Sequence, residues 1–150
     1  MSDATAASVS GTCRCGSVTI AAAGPPLITM ACHCRECQRM TGSAFSLSSL
    51  YPTDHFQVTA GEPVPCKVGA QTTHYFCPQC HSWLYSQPVG MEQLVNIRAT
   101  LLDDAAGFRP FMEVYTSEKL PWVNLPASHS FEKFPPMDAY PALLAAFAAG

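Results

Sequence analysis

Hydrophobic positions along this chain recur at every second residue over short runs, and Gly or Pro closes nearly every run. Ser17 to Ala22 sets Val18, Ile20 and Ala22 on one side, the signature of a half-buried strand, and Gly24-Pro25-Pro26 ends it. Leu27 to Ala31 is a second apolar run that leads into Cys32. Arg35 to Thr41 has room for a turn or two of helix, with Gly42 in the usual glycine stop position. Ala44 to Leu50, His55 to Thr59 and Pro63 to Val68 are expected as strands. Thr73 to Phe76 and Trp83 to Ser86 are two more, flanking Cys77-Pro78-Gln79-Cys80 in the manner of a zinc knuckle. The strongest alternation is Leu94 to Leu101, with Val95, Ile97, Ala99 and Leu101 on one face, and Phe111 to Thr116 follows it. Asp138 to Ala149 has the alanine and leucine content of a C-terminal helix, with Asp138 as its expected N-cap. Many short strands and 13 prolines predict a mainly β fold with one short C-terminal helix.

Composition narrows the class. At 150 residues, 48% hydrophobic and 13% charged, the chain is expected to form one globular domain over residues 11–150. Residues 1–10 are expected as a flexible arm. They lack the basic start and apolar run of a signal peptide. The longest apolar run, Leu143 to Ala149, is far short of the ~20 residues of a membrane span, so a cytoplasmic protein without membrane contact is expected. The formal net charge is −3 and the eight Lys and Arg are scattered singly, which argues against nucleic-acid binding.

The eight cysteines change the picture most. Seven fall in three tight groups, Cys13/Cys15, Cys32/Cys34/Cys37 and Cys77/Cys80, and Cys66 stands alone. In a cytoplasmic chain this clustering points to metal or redox chemistry before disulfides. Cys13, Cys15, Cys77 and Cys80 supply two thiolates from each of two turns and fit a closed zinc site that cross-links distant parts of the chain. A redox C-x-x-C at Cys77 and Cys80 is the bland alternative, but its flanks read as strands and not as the helix N-terminus that activates such thiols.

Cys32, Cys34 and Cys37 are left for a second ion. Residues two apart in extended chain point the same way, and a tight turn after Cys34 would bring Cys37 round to join them. Spacing alone does not say whether a fourth ligand closes this set. Cys66 is the first candidate, followed by His33, His74 and His81, although Cys66 could equally be a small buried apolar residue. His33, lying between two ligands, should point away from the metal. If the site is open, three thiolates leave the zinc centre with a net charge of about −1, which disfavours a zinc-hydroxide hydrolase and favours a thiol ligand. Chemistry at a carbon–sulfur bond is the expectation. Arg14, Arg35 and Arg39 could hold a substrate carboxylate or simply be solvated, and Tyr115 and Trp122 could line a pocket or belong to the core.

These motifs, taken in order, resemble a known family. Gly11 to Gly16 reads G-x-C-x-C-G, Cys32 to Cys37 reads C-H-C-x-x-C, and Gly42-Ser43-Ala44-Phe45, Phe76-Cys77-x-x-Cys80, Lys119 and Pro121-Trp122 follow. The set, over roughly residues 11 to 135, is similar to the glutathione-dependent formaldehyde-activating enzyme (CENP-V/GFA) family. The resemblance implies a zinc-bound β-tent fold, a structural zinc on Cys13, Cys15, Cys77 and Cys80, and a catalytic zinc on Cys32, Cys34 and Cys37. It implies a carbon–sulfur lyase that condenses glutathione with formaldehyde to S-hydroxymethylglutathione or acts on a related thiol adduct, with a non-catalytic zinc module, a thiol carrier or sensor or a protein-interaction domain, as the alternative. Oligomeric state is left open. Two positions depart from the family pattern: His81 stands where glycine is usual, and Glu113 where many members have histidine.

Overall fold

The computed structural model describes residues 7–69 and 71–150 and is mainly β. In chain order its elements are β1 (Ser8–Thr12), β2 (Thr19–Ala23), β3 (Ile28–Cys32), α1 (Arg35–Thr41), β4 (Ser46–Pro52), β5 (Phe56–Ala60), β6 (Val64–Cys66), β7 (Thr72–Phe76), β8 (Trp83–Pro88), β9 (Leu94–Arg98), β10 (Met112–Val114), β11 (His129–Ser130) and α2 (Tyr140–Ala148). The chain divides into two compact units, residues 1–26 with 50–107, and residues 27–49 with 108–150.

In the first unit β1, β2 and β5 form an antiparallel sheet in the order β1-β2-β5, with Val9 opposite Ala22 and Gly11 opposite Ile20. A meander of β6, β7, β8 and β9 runs antiparallel throughout, pairing Tyr75 with Tyr85 and Tyr85 with Ile97. The alternation read in the sequence is used as expected: Val18, Ile20, Ala22, Leu84, Val95 and Ile97 are buried in one apolar cluster with Tyr51, Tyr85 and Leu102. Cys13 and Cys77 are buried in that same cluster, so the two cysteine-bearing turns are rooted in the core.

The second unit is built on parallel pairing, β3 beside β10 and β10 beside β11, with Met30 opposite Met112 and Cys32 opposite Val114. Both faces of β3 and β10 are covered, and Ile28, Ala31, Met112 and Val114 are fully buried. A doubly buried strand reads as a continuous apolar run. α1 ends as the glycine predicts: Gly42 adopts the left-handed conformation (φ 62°, ψ 29°) and its N–H donates to Gln38 O.

Three expectations need correction. Of the expected arm, residues 1–6 lie outside the described residues, whereas Ser8 to Ser10 belong to β1 and pair with Ala21 to Ala23. β9 stops at Arg98, and Ala99–Leu101 is a 3₁₀ turn. That turn brings Leu102 to a β-bridge with Gly11 and places Asp103 N–H 2.8 Å from Ser10 O, contacts a straight strand would forgo. Asp138 is not an N-cap: it sits inside the 3₁₀ turn Met137–Ala139, which runs directly into α2 through a helical Ala139. With no extended residue at that junction, no cap position exists for it to fill.

Candidate metal centres

The turn after β1 and the turn between β7 and β8 each present two thiols. Cys13 N–H donates to Val18 O at 3.0 Å, and Val18 N–H donates back to Cys13 Sγ at 3.3 Å. Across the other turn Cys77 N–H donates to Ser82 O at 3.0 Å, His81 N–H to Cys77 O at 2.9 Å, and Cys80 N–H to Cys77 Sγ at 3.5 Å. Backbone N–H groups aimed at sulfur favour the thiolate form. The four sulfurs lie within 4.8 Å of one another. Cys13 and Cys15 are 3.6 Å apart and Cys15 and Cys77 3.8 Å. Zn–S bonds of about 2.3 Å in a tetrahedron set sulfurs roughly 3.8 Å apart, so the donor set and its spacing fit a closed tetrathiolate zinc site.

Two serines that spacing did not single out complete this cluster. Ser17 Oγ is 3.0 Å from Cys15 Sγ and 3.3 Å from Cys77 Sγ. Ser82 Oγ is 3.1 Å from Cys80 Sγ, and that contact is the main reason the Cys80 thiol is drawn down to about 5. Isolated serines carry no periodic or motif signal that would mark them in advance. His81, the departure from the usual glycine, has φ 62°, so the turn does require the left-handed region and an imidazole occupies it.

The second cluster comes from one continuous stretch. Cys32 ends β3, Cys34 caps the start of α1 in an extended conformation (φ −62°, ψ 152°), and Cys37 lies in the first helical turn. Cys34 Sγ accepts from Cys37 N–H at 3.3 Å. The helix thus supplies the tight turn that the spacing required. The three sulfurs fall within 4.8 Å of one another, and among the described residues no fourth His, Cys, Asp or Glu joins them at that spacing.

Their protonation reflects the crowding. Hydrogen bonds from Cys32 and Cys37 pull the Cys34 thiol down to about 2. Cys32 is pushed up, first because its proton is held toward Cys34, then by Cys37 and by burial. Three thiols within 4.8 Å of one another make a donor set for a soft divalent cation. The set therefore fits zinc. Tyr115, directly after Val114 on β10, is itself in a left-handed conformation (φ 57°). Burial first, and then the charge on Cys32 and Cys34, raise its hydroxyl above the usual tyrosine range, so it stays a phenol beside the cluster.

His33 does not join the three sulfurs as a ligand, and it is fully buried. Its Nε2 lies 2.7 Å from Glu113 Oε1, while Ser130 Oγ donates to Glu113 Oε2 at 2.7 Å and Lys119 Nζ is 3.7 Å from Oε1. Glu113 is only 5% exposed, so its charge is spent within the unit and not presented to a substrate. Burial raises the Glu113 carboxyl, but the hydrogen bonds from Ser130 and His33 and the charge of Lys119 outweigh it and hold the group below the usual range.

Cys66 belongs to neither cluster and is exposed on β6, so it is neither the fourth ligand nor a buried apolar residue. Its neighbours explain the exposure, since every residue of this short strand is exposed. Arg14, Arg35 and Arg39 are exposed, and Trp122 is 72% exposed and so is no part of the core.

The sequence profile described as glutathione-dependent formaldehyde-activating enzyme matches residues 8–118. The chain belongs to this GFA family. The matched span contains all seven clustered cysteines, His81 and Glu113. Among solved structures, a protein of Rhodobacter sphaeroides is similar in fold, with a TM-score of 0.52 and 20% identity over 67% of this chain and 91% of that one. A comparison with curated proteins gives no match. Among the described residues no helix is long and apolar enough to cross a membrane.

Proposed function

We propose that this GFA-family protein is a zinc-dependent carbon–sulfur lyase that joins glutathione to formaldehyde, giving S-hydroxymethylglutathione. Family membership supports the substrates, and one observation carries the chemistry: Cys32, Cys34 and Cys37 form a three-ligand set to which no fourth protein ligand is added among the described residues. Cys32, Cys34 and Cys37 would hold zinc through three thiolates, and zinc so held would keep a bound thiol deprotonated near neutral pH.

The residues of the chain divide the remaining work. Cys32, Cys34 and Cys37 hold the metal from a strand end and a helix start, both rigid elements. Arg35 and Arg39, exposed on α1 beside the cluster, offer guanidinium groups to the carboxylates of a peptide thiol. The Tyr115 phenol can donate a hydrogen bond where the aldehyde oxygen becomes an alkoxide. In the net reaction a carbon–sulfur bond forms as the carbonyl π bond breaks, and the proton lost by sulfur ends on that oxygen. No oxidant or reductant is required. Cys13, Cys15, Cys77 and Cys80 serve as the structural site, within a single zinc domain over residues 8–150 that works in the cytoplasm.

Two-dimensional exchange NMR of dilute glutathione and formaldehyde, with and without the zinc-loaded protein, tests this. Faster exchange with the wild type, lost in Cys37→Ala, is expected. Zinc and glutathione binding with no change in exchange rate would instead mark the protein as a thiol-binding module.

A further inference from the structure

His33 lies between two of the three thiols, and the fold holds it at three points. Its N–H donates to Val114 O at 3.0 Å, its carbonyl accepts from Gln38 Nε2 at 2.8 Å, and its ring Nε2 meets Glu113 Oε1 at 2.7 Å. Gln38 is itself fixed, because the same Nε2 also donates to Glu118 O at 3.0 Å and its Oε1 accepts from Arg35 Nη1. Glu118 Oε1 in turn accepts from Arg35 N–H at 2.8 Å, at the start of α1. Since the Glu113 carboxylate accepts, the imidazole proton sits on Nε2. Among the described residues Nδ1 is buried with no hydrogen-bond partner, so there the ring contact with Glu113 is the polar tie that sets its orientation. Phe45 packs on the ring edge-on at 5.8 Å between centroids.

A buried carboxylate with one oxygen on His33, the other on Ser130, and Lys119 nearby is costly unless all its partners are kept. Sulfur ligands two residues apart are placed by the backbone between them, and that backbone belongs to His33.

We propose that Glu113, acting through His33, is a positioning residue for the Cys32/Cys34/Cys37 metal centre. The pair fixes the His33 peptide so that the sulfurs of Cys32 and Cys34 are held at metal-binding separation. This rests on the reading of that cluster as a metal centre.

The test compares wild type, Glu113→Gln and Ser130→Ala by native mass spectrometry and by chelator competition with zinc and cobalt. The Cys13/Cys15/Cys77/Cys80 site serves as the internal reference for folding. Glu113→Gln is expected to weaken metal binding at the second cluster about 10–100-fold, the range for residues that orient ligands, and to alter its cobalt ligand-field spectrum, while the first cluster is unchanged. Ser130→Ala, which leaves the His33 contact in place, is expected to give a smaller loss of the same kind. Wild type that takes two ions, with second-site affinity and spectrum unaltered in both variants, overturns the proposal alone. Wild type that takes one ion overturns the metal reading of the second cluster and this proposal with it. If Glu113→Gln loses the first site too and so fails to fold, Ser130→Ala decides.

Discussion

Cys15 Sγ lies 3.8 Å from Cys77 Sγ although 62 residues of chain separate them. The first unit brings its two thiol turns together, with Cys13 and Cys77 embedded in the apolar cluster. A metal bridging them closes a long loop. By loop-closure entropy such a cross-link is worth about 4 kcal/mol, or roughly 10 °C in Tm for a chain of this size. Cys77→Ser should lower Tm by about that much and reduce the zinc count by one. Chelation of the wild type should give a similar drop, read by differential scanning calorimetry with metal analysis. An unchanged Tm after complete zinc removal would mean that the core alone holds these turns.

His81 carries a left-handed backbone conformation that the turn between β7 and β8 imposes. Histidine tolerates φ near +60° better than most residues but still at a cost, which glycine does not bear. His81→Gly should stabilise the first unit by about 1 kcal/mol and leave its metal count unchanged. Thermal melts of the zinc-loaded proteins check this. A lower Tm would show that the imbalance is made up by a contact of the imidazole.

Gly11 opens the first cysteine motif for a steric reason. A Cβ there would stand 2.6 Å from Leu101 O, a backbone atom that cannot move aside without breaking the bridge between Gly11 and Leu102. Gly11→Ala should cost about 1–3 kcal/mol. The measurement is the urea midpoint at constant m. Gly16→Ala is a useful contrast, because nothing stands within 4 Å of its Cβ and its cost comes from φ 83° alone.

The cysteine partition was legible because metal ligation is a local constraint. C-x-C in extended chain and C-x-x-C in a tight turn fix sulfur directions within a few residues, and Gly42 marks the end of α1 in the same local way. What sequence did not reveal depends on contacts between distant residues. The parallel pairing of β3 with β10 and of β10 with β11 has no short-range signature, and β11 is two residues long. Glu113 stood out as a departure from the family pattern, but its partners His33 and Ser130 lie 80 and 17 residues away. Ala99 and Leu101 kept the strand alternation and still turned, because the bridge from Leu102 to Gly11 is a tertiary preference.

Tyr85 stacks on Tyr75 at 4.6 Å between ring centroids, and burial first, then the neighbouring phenol, push its hydroxyl up to about 12. The folded value lies above the unfolded one of about 10, so the unfolded chain releases the proton first. Stability from this group is fully present below about pH 10 and is lost as pH rises from there toward 12. Tyr85→Phe should flatten the alkaline limb of the stability curve over that window, with little effect near neutrality. Absorbance titration of the phenolates, wild type against variant, identifies the late-titrating group.

Cys66 separates a count of thiols from a count of ligands. It is exposed on β6 and lies outside both clusters, whereas Cys37 belongs to the three-sulfur set. In zinc-loaded protein a maleimide reagent should therefore label one cysteine rapidly, and Cys66→Ser should abolish that labelling. The same variant should keep the full zinc content and the exchange rate of glutathione with formaldehyde. Cys37→Ser should do the reverse, retaining the fast-labelling thiol while losing zinc from the second cluster and the rate enhancement with it. Loss of zinc from Cys66→Ser would make that residue a ligand after all and close the position on which the thiol chemistry depends. Metal analysis and peptide mapping of the labelled protein distinguish the two results directly.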